Sequence, residues 1–295
     1  MSVGWLTDPY AFDFMKRALG AAVLVGILSP LVGVWVVLER MSYLGDAMGH
    51  ATLSGVAVAY LAGWSIIVGA LGAALLMAIL MAMLARHPRL HGDAIIGIVE
   101  VALFSIGIII ISRSHSISVD LTHYLFGSIT TVSVDDLRVN AGLTILTIVG
   151  LAIFFSDLRA ATFDPLHARL VGVHGSGLRL ARFAALAIAV VVSLQSVGLL
   201  MSIAMLIVPA SAARMWTATL LGMSVAAVTI GVASSVVGLT LSYYLASAPG
   251  ATISLTTIAV LTASALLTTR RRARRPLEHA DDRRPSGVNH GPLVH

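Results

Sequence analysis

Residues 18–38 read ALGAAVLVGILSPLVGVWVVL, a stretch without a single charged side chain. A helix needs roughly 20 predominantly apolar residues to cross about 30 Å of hydrocarbon, and this stretch has that length. Comparable runs follow over Trp64–Leu84, Ala94–Ser112 and Ala181–Leu194. Hydrophobic residues make up 58% of the 295-residue chain and charged residues 11%, against roughly 25% charged in a soluble domain. A soluble fold cannot hide that much apolar surface. The fold class is therefore read as all-α and polytopic, with residues 16–269 forming one membrane-spanning domain.

The segment before it, residues 1–15, carries Asp8 and Asp13 ahead of any positive charge and lacks a small-residue cleavage site after a short apolar core. It does not read as a signal peptide, and the first span is expected to be retained. With 0 cysteines, disulfides, thiolate metal sites and Cys nucleophiles are all excluded. The formal charge of +5 could suggest nucleic acid, but much of it sits in Arg270–Arg275 and Arg283/Arg284, directly after the last span. That placement reads as an anchor beside anionic lipid in the bilayer, with no nucleic-acid partner.

Polar, Gly and Pro punctuation divides the domain into nine candidate spans, at 16–38, 43–62, 64–85, 94–112, 138–156, 181–197, 199–216, 218–246 and 251–269. The cut near residue 198 is the critical one, because 181–216 read as one long helix plus a half-helix would change the parity of the topology. Positive charge arbitrates. Nine spans with the N-terminus outside and the C-terminus in the cytosol put 15 basic residues inside: Arg40, Arg86, Arg89, Arg159, Arg169, Arg179, Arg182, Arg214 and the seven after 269. Lys16, Arg17, Arg113 and Arg138 stay outside. Eight spans would place either the 157–180 loop or the basic tail on the wrong face.

Three connections are long enough to have roles. Residues 113–137, outside, contain HYLFGSI (123–129), too short to span and read as a half-helix at the outer mouth. Residues 157–180, inside, read as a short amphipathic helix, Asp164–Val173, followed by a bend at Gly175 and Gly177. The tail 270–295 is rich in Arg, Pro, Asp and Gly and reads as disordered.

The chemistry concentrates in RMSYLGDAMGHATLSGVAVAY (40–60), which sets an acid and an imidazole at the start of an otherwise apolar helix. Asp46 and His50 are four apart, so a helix stacks them on one face. An ionised Asp near the membrane centre costs roughly 2.5–3.5 kcal/mol, which a divalent cation would offset. The plainer alternative makes Asp46 a cap and His50 an interior histidine. Gly45 and Gly49, with Ser54 further on, keep one side of the helix small and suit close helix packing. Asp plus His without Cys suits Zn²⁺, Mn²⁺ or Fe²⁺. Two ligands are too few for a tetrahedral site; a second copy on a two-fold axis, or other helices, would supply the rest.

Glu100 is the other mid-span carboxylate, a further ligand, a proton-linked group or a hydrogen-bonded interior acid. Asp120 and His123 could pass ions at the entrance, or serve as a cap and an interfacial histidine. His87, His91, His279, His290 and His295 read as solvated loop and tail residues.

No energy source is encoded. The P-loop needs G-x-x-x-x-G-K-[ST], and the only lysine is Lys16, followed by Arg17. H-E-x-x-H and G-x-S-x-G are also missing, so the chain reads as a non-enzymatic transporter subunit. Active transport would need a separate ATPase or an ion gradient; a stand-alone channel or gradient-driven carrier is the competing class.

The segment LERMSYLGDAMGHATLSGVAVAYL (38–61) resembles the signature of the permease subunits of ATP-binding-cassette importers for zinc, manganese and iron. The resemblance continues through GDAIIGIVEVALFSIGIIIIS, VDLTHYLFGSITTVSVDDL, FDPLHARLVGVHG, VVSLQSVGLLMSIAMLIVPASAARM and SYYLASAPGATISL, in family order over about residues 15–267. It implies a homodimer with a central path, two cytosolic ATPase subunits, an external metal-binding protein and a place in the bacterial inner membrane. It implies no permanently bound cofactor, only a transported divalent metal. Asp46 and His50 match the family's metal-contacting pair. Phe163 to Gly175 matches the segment that docks the ATPase, with Phe163, Asp164, Pro165, Ala168, Arg169, Gly172 and Gly175 as its carriers. The fold should be similar to vitamin B12-type importer permeases with one leading helix fewer. Glu100 stands where the family usually has an uncharged residue, and the wording of MSYLGD and VDLTHYLFG leans towards the zinc branch.

If residues 157–180 dock an ATPase, charge reversal at Arg169 or Ala168→Pro should uncouple hydrolysis from transport. Metal moved per ATP in vesicles measures this, and normal coupling in both variants would count against the docking role.

Overall fold

The computed structural model describes residues 8–85, 87, 89–90, 92–113, 129, 132–164 and 175–273. Among them a 3₁₀ turn, Asp8–Ala11, precedes ten α-helices, and there is no strand. They are α1 (Asp13–Leu38), α2 (Tyr43–Ala62), α3 (Ile66–Leu84), α4 (Gly92–Ser112), α5 (Val134–Ile153), α6 (Phe155–Phe163), α7 (Gly175–Val197), α8 (Leu199–Trp216), α9 (Leu220–Leu245) and α10 (Pro249–Ala273). Eight are long and apolar enough to cross a membrane. The ninth of spanning length, α2, has 20 residues and falls outside that set because Asp46, His50 and three glycines dilute its apolar content. The architecture is the all-α polytopic one that the sequence indicates.

α1 is the most enclosed of the spanning helices and packs against α5, α7, α8 and α9. Its interior Pro30 lies against Gly231 of α9, and the neighbouring Ser29 hydroxyl bonds that of Ser193 in α7 at 2.6 Å. α2, α3 and α4 form a second group, joined to α1 through α7 and α8, while α10 lies on α8 and α9. Between α2 and α3 the backbones meet where Gly55 faces Gly69, the close approach that small residues permit in place of a hydrophobic driving force.

The cut at residue 198 is present. Gly198 adopts φ +83 between α7 and α8, a conformation open to glycine but not to branched side chains. The chain reverses there. α7 starts beside Glu39 at the end of α1 and reaches Asn140 near the start of α5 through Ser196. α8 then runs back, with Leu199 against Gly49 and Leu206 against Gly45. At one face Tyr10 bonds Thr240 at 2.8 Å and Phe12 lies 6.5 Å from Tyr243; at the other Trp35 meets Phe155 edge-on at 6.1 Å. The described chain therefore starts on one face and ends on the opposite one.

The α1–α2 corner occupies that second face. Glu39 closes α1, and Arg40 follows at φ +59, a left-handed conformation that costs a non-glycine residue on the order of 1 kcal/mol. Bonds from Arg40 N–H to the Val37 carbonyl (3.3 Å) and from Met41 N–H to the Val36 carbonyl (3.0 Å) fix the bend.

Several boundaries differ from the sequence reading. α1 begins at Asp13, inside the segment read as external, and α10 runs to Ala273, inside the segment read as tail. The fifth span stops at Ile153, and Phe155–Phe163 forms a separate helix. Asp164 is its non-helical C-cap, so the helix expected from Asp164 does not start there. Gly175 and Gly177 open α7 and do not form a bend: a helix that leaves the apolar layer keeps its hydrogen bonds in water, where hydropathy no longer marks it.

A Cβ at Gly55 would collide with the Gly69 backbone, whereas one at Gly72 meets nothing within 4 Å. Gly55→Ala should cost about 1–3 kcal/mol by overpacking and lower the Tm in detergent. Gly72→Ala, gaining helix propensity of about 0.8–1 kcal/mol, should leave it equal or higher.

Candidate functional site

α2 opens without a side-chain cap: Ser42 holds the N-cap position but makes no cap hydrogen bond. Asp46 lies in the first turn, where the helix dipole favours negative charge. One turn on, His50 sits with Nδ1 3.8 Å from Asp46 Oδ1. From α4, Glu100 Oε1 approaches the same Nδ1 to 3.2 Å. Phe104, one turn past Glu100, sets its ring edge-on to the imidazole with centroids 5.7 Å apart. Two carboxylates and an imidazole thus converge from two helices.

His50 Nδ1 is itself buried, yet neither carboxylate is aligned to hydrogen-bond with it. The short N···O separations reflect convergence of charge and not a closed hydrogen-bonded network. The side chains of Asp46, His50 and Glu100 keep 34%, 33% and 26% of their surface, so the cluster opens to one side. Among the described residues no group of three or more His, Asp or Glu has the arrangement to hold a metal ion alone.

Small residues let the neighbours come this close. Leu206 of α8 packs against Gly45 and Leu199 against Gly49. Ser54 bonds the Ala51 carbonyl at 2.9 Å, folding its hydroxyl back onto α2. Its backbone lies against Gly107 of α4, where a Cβ would stand 2.9 Å from Ser54 N. That crossing brings α4 alongside α2 and delivers Glu100 to His50.

Other residues singled out in the sequence lie elsewhere. Asp120 and His123, with most of the 123–129 half-helix, fall outside the described residues, as do Pro165, Ala168, Arg169 and Gly172. Phe163 ends α6 with 61% of its surface exposed, Asp164 caps that helix and Gly175 opens α7. Nothing in the sequence marked Phe104, one aromatic among apolar neighbours, or the ion pair between Glu39 and Arg182.

Among the described residues, eight apolar helices of spanning length and a ninth, α2, that carries an acid and an imidazole form the architecture of a membrane permease. The model of the ABC 3 transport family matches residues 11–268, and the chain belongs to that family. It is 34% identical over 245 residues to the manganese transport system membrane protein MntC of Halalkalibacterium halodurans, covering 83% of this chain and 84% of that one. It is 33% identical over 251 residues to a protein named as a probable iron transport system membrane protein of Haemophilus influenzae, covering 85% and 92%. The solved structure of PsaBC from Streptococcus pneumoniae in complex with Fab superposes with TM-score 0.81 at 32% identity, covering 92% of this chain and 98% of that one. An inward-facing metal-chelate type ABC transporter shares the fold, with TM-score 0.65 at 16% identity.

Proposed function

We propose that this chain is the permease subunit of an ATP-driven importer of divalent metal, with Asp46, His50 and Glu100 contacting the ion in transit. The observation that carries this reading is the convergence of Asp46 and Glu100 on the His50 imidazole. To hold a metal the imidazole must be neutral and the two carboxylates ionised, which leaves two negative charges to balance. A divalent cation balances them, and borderline ions accept this mixed oxygen and nitrogen set.

The cluster's open side fits completion by a second copy, so that two-fold pairing would line a central path with two such sets. Asp120 and His123 would stand at its outer entrance. Relatives are named for manganese or iron, and two oxygen ligands per nitrogen suit Mn²⁺ or Fe²⁺; Zn²⁺, towards which the signature wording leans, is the competitor.

Arg40 and Arg89 in the connections after α1 and α3, Arg159 in α6, Arg179 near the start of α7 and Arg214 near the end of α8 lie towards the end of the bundle that holds the α1–α2 corner, which by positive charge is the cytosolic face of the bacterial inner membrane. The N-terminus is then outside and the C-terminus inside. With no Walker lysine in the chain, ATP hydrolysis falls to separate subunits docked about Phe163–Gly175, and an external binding protein delivers the metal.

The test is Mn²⁺, Fe²⁺ and Zn²⁺ uptake into vesicles containing the chain with its ATPase. Asp46→Ala and His50→Ala should abolish uptake while the ATPase still co-purifies. Glu100→Gln should weaken metal binding about 10–100-fold. Uptake without ATPase or ATP would refute the importer reading, and unchanged uptake in Asp46→Ala and His50→Ala would remove the site.

A further inference from the structure

Glu39 and Arg182 form an ion pair at the inner end of the bundle, with 21% and 14% of their side-chain surfaces left exposed. The pair joins elements remote in sequence. Glu39 ends α1, and the next residue, Arg40, is the left-handed one that turns the chain into α2. Arg182 lies near the start of α7. Its guanidinium also donates from Nη1 to Thr162 Oγ1 at 3.2 Å, one residue before α6 ends at Phe163. One arginine therefore ties the α1–α2 corner to the end of α6.

Both ends of this tie matter to transport. Asp46 follows Glu39 by seven residues, within the first turn of α2, so a shift of the corner moves Asp46 and His50 with the helix. Beyond Phe163 begins the segment assigned above to ATPase docking. The surroundings favour a rigid link: Trp35, Met41, Leu44 and Phe183 line, with the pair, a cavity of about 20 Å³, room for about one water. Close packing of this kind passes displacement from one side chain to its neighbours. An Arg–carboxylate pair shielded from water is screened far less by salt than a surface pair.

We infer that Arg182 is a positioning residue for transport: through Thr162 and Glu39 it transmits the position of the docked ATPase to the α1–α2 corner and so to the metal-contacting turn of α2. This rests on the reading of residues 163–175 as the docking segment. Arg182 touches no cargo in this role. It sets where Asp46 and His50 stand when the partner pushes or pulls on α6.

The test uses the full chain assembled with its ATPase in vesicles and reads two quantities separately, Mn²⁺ moved per ATP hydrolysed and ATPase retained on purification. Glu39→Arg and Arg182→Glu should each lower Mn²⁺ moved per ATP about tenfold with the ATPase still bound. The swap Glu39→Arg with Arg182→Glu should recover most of that loss. Thr162→Val, which deletes one hydroxyl without placing a charge in the core, should lower the same ratio by a smaller factor even if a single charge variant fails to assemble. A wild-type ratio in Thr162→Val, or a swap no better than its single variants in assembled protein, overturns the inference. The docking reading fails on a different result: an ATPase that cross-links to wild-type chain elsewhere and never near Phe163.

Discussion

In hydrocarbon a polar helix survives only if its neighbours, and not lipid, surround its polar side, and α2 is the helix on which that constraint bears hardest. The helix dipole offers Asp46 about 0.3–1 kcal/mol, short of the roughly 2.5–3.5 kcal/mol that an acid costs near the bilayer centre. Enclosure by protein covers the larger part of that side chain and leaves 34% of it open. It is achieved by removing side chains: Gly55 against Gly69 of α3, Ser54 against Gly107 of α4, and Gly45 and Gly49 against leucines of α8. Each larger residue at these crossings would move a neighbouring helix outward and let lipid towards the acid. The packing of α3, α4, α7 and α8 can be understood as the arrangement that makes α2 tolerable.

The same constraint explains what the sequence could and could not reveal. Spans are legible because apolar length is a local property, and even the single-residue break at Gly198 could be placed, since arginine sidedness demanded an odd number of crossings and a glycine stood where the reversal was needed. Contacts between helices are not local. Glu100 stood in the sequence as an isolated carboxylate of uncertain role, and only the Ser54–Gly107 crossing sets it beside His50. Arg182 counts in the sequence only as an inner-side positive charge, with nothing to pair it with Glu39. The α6 boundary was missed for a related reason: Phe155–Phe163 leaves the apolar layer, and beyond that layer hydropathy loses its force.

The cluster at His50 combines closeness with incompleteness. In the proposed role a finished metal site would bind too tightly for passage, whereas one histidine between two carboxylates, open on one side, would accept an ion and release it. Conduction needs binding favourable enough for entry and weak enough for exit. Phe104 packs edge-on to the imidazole without adding a ligand.

The placement of the two described chain ends on opposite faces has a consequence for symmetry. Many carriers alternate their access by rocking two inverted halves of one chain about a pseudo-two-fold axis in the membrane plane. The nine helices of spanning length among the described residues, taken together, do not divide into two equal halves. A two-fold relation between whole molecules inserted the same way would have its axis along the membrane normal. In such a pair, opening and closing would belong to the seam between copies, with the open flank of α2 and α4 placed to line it.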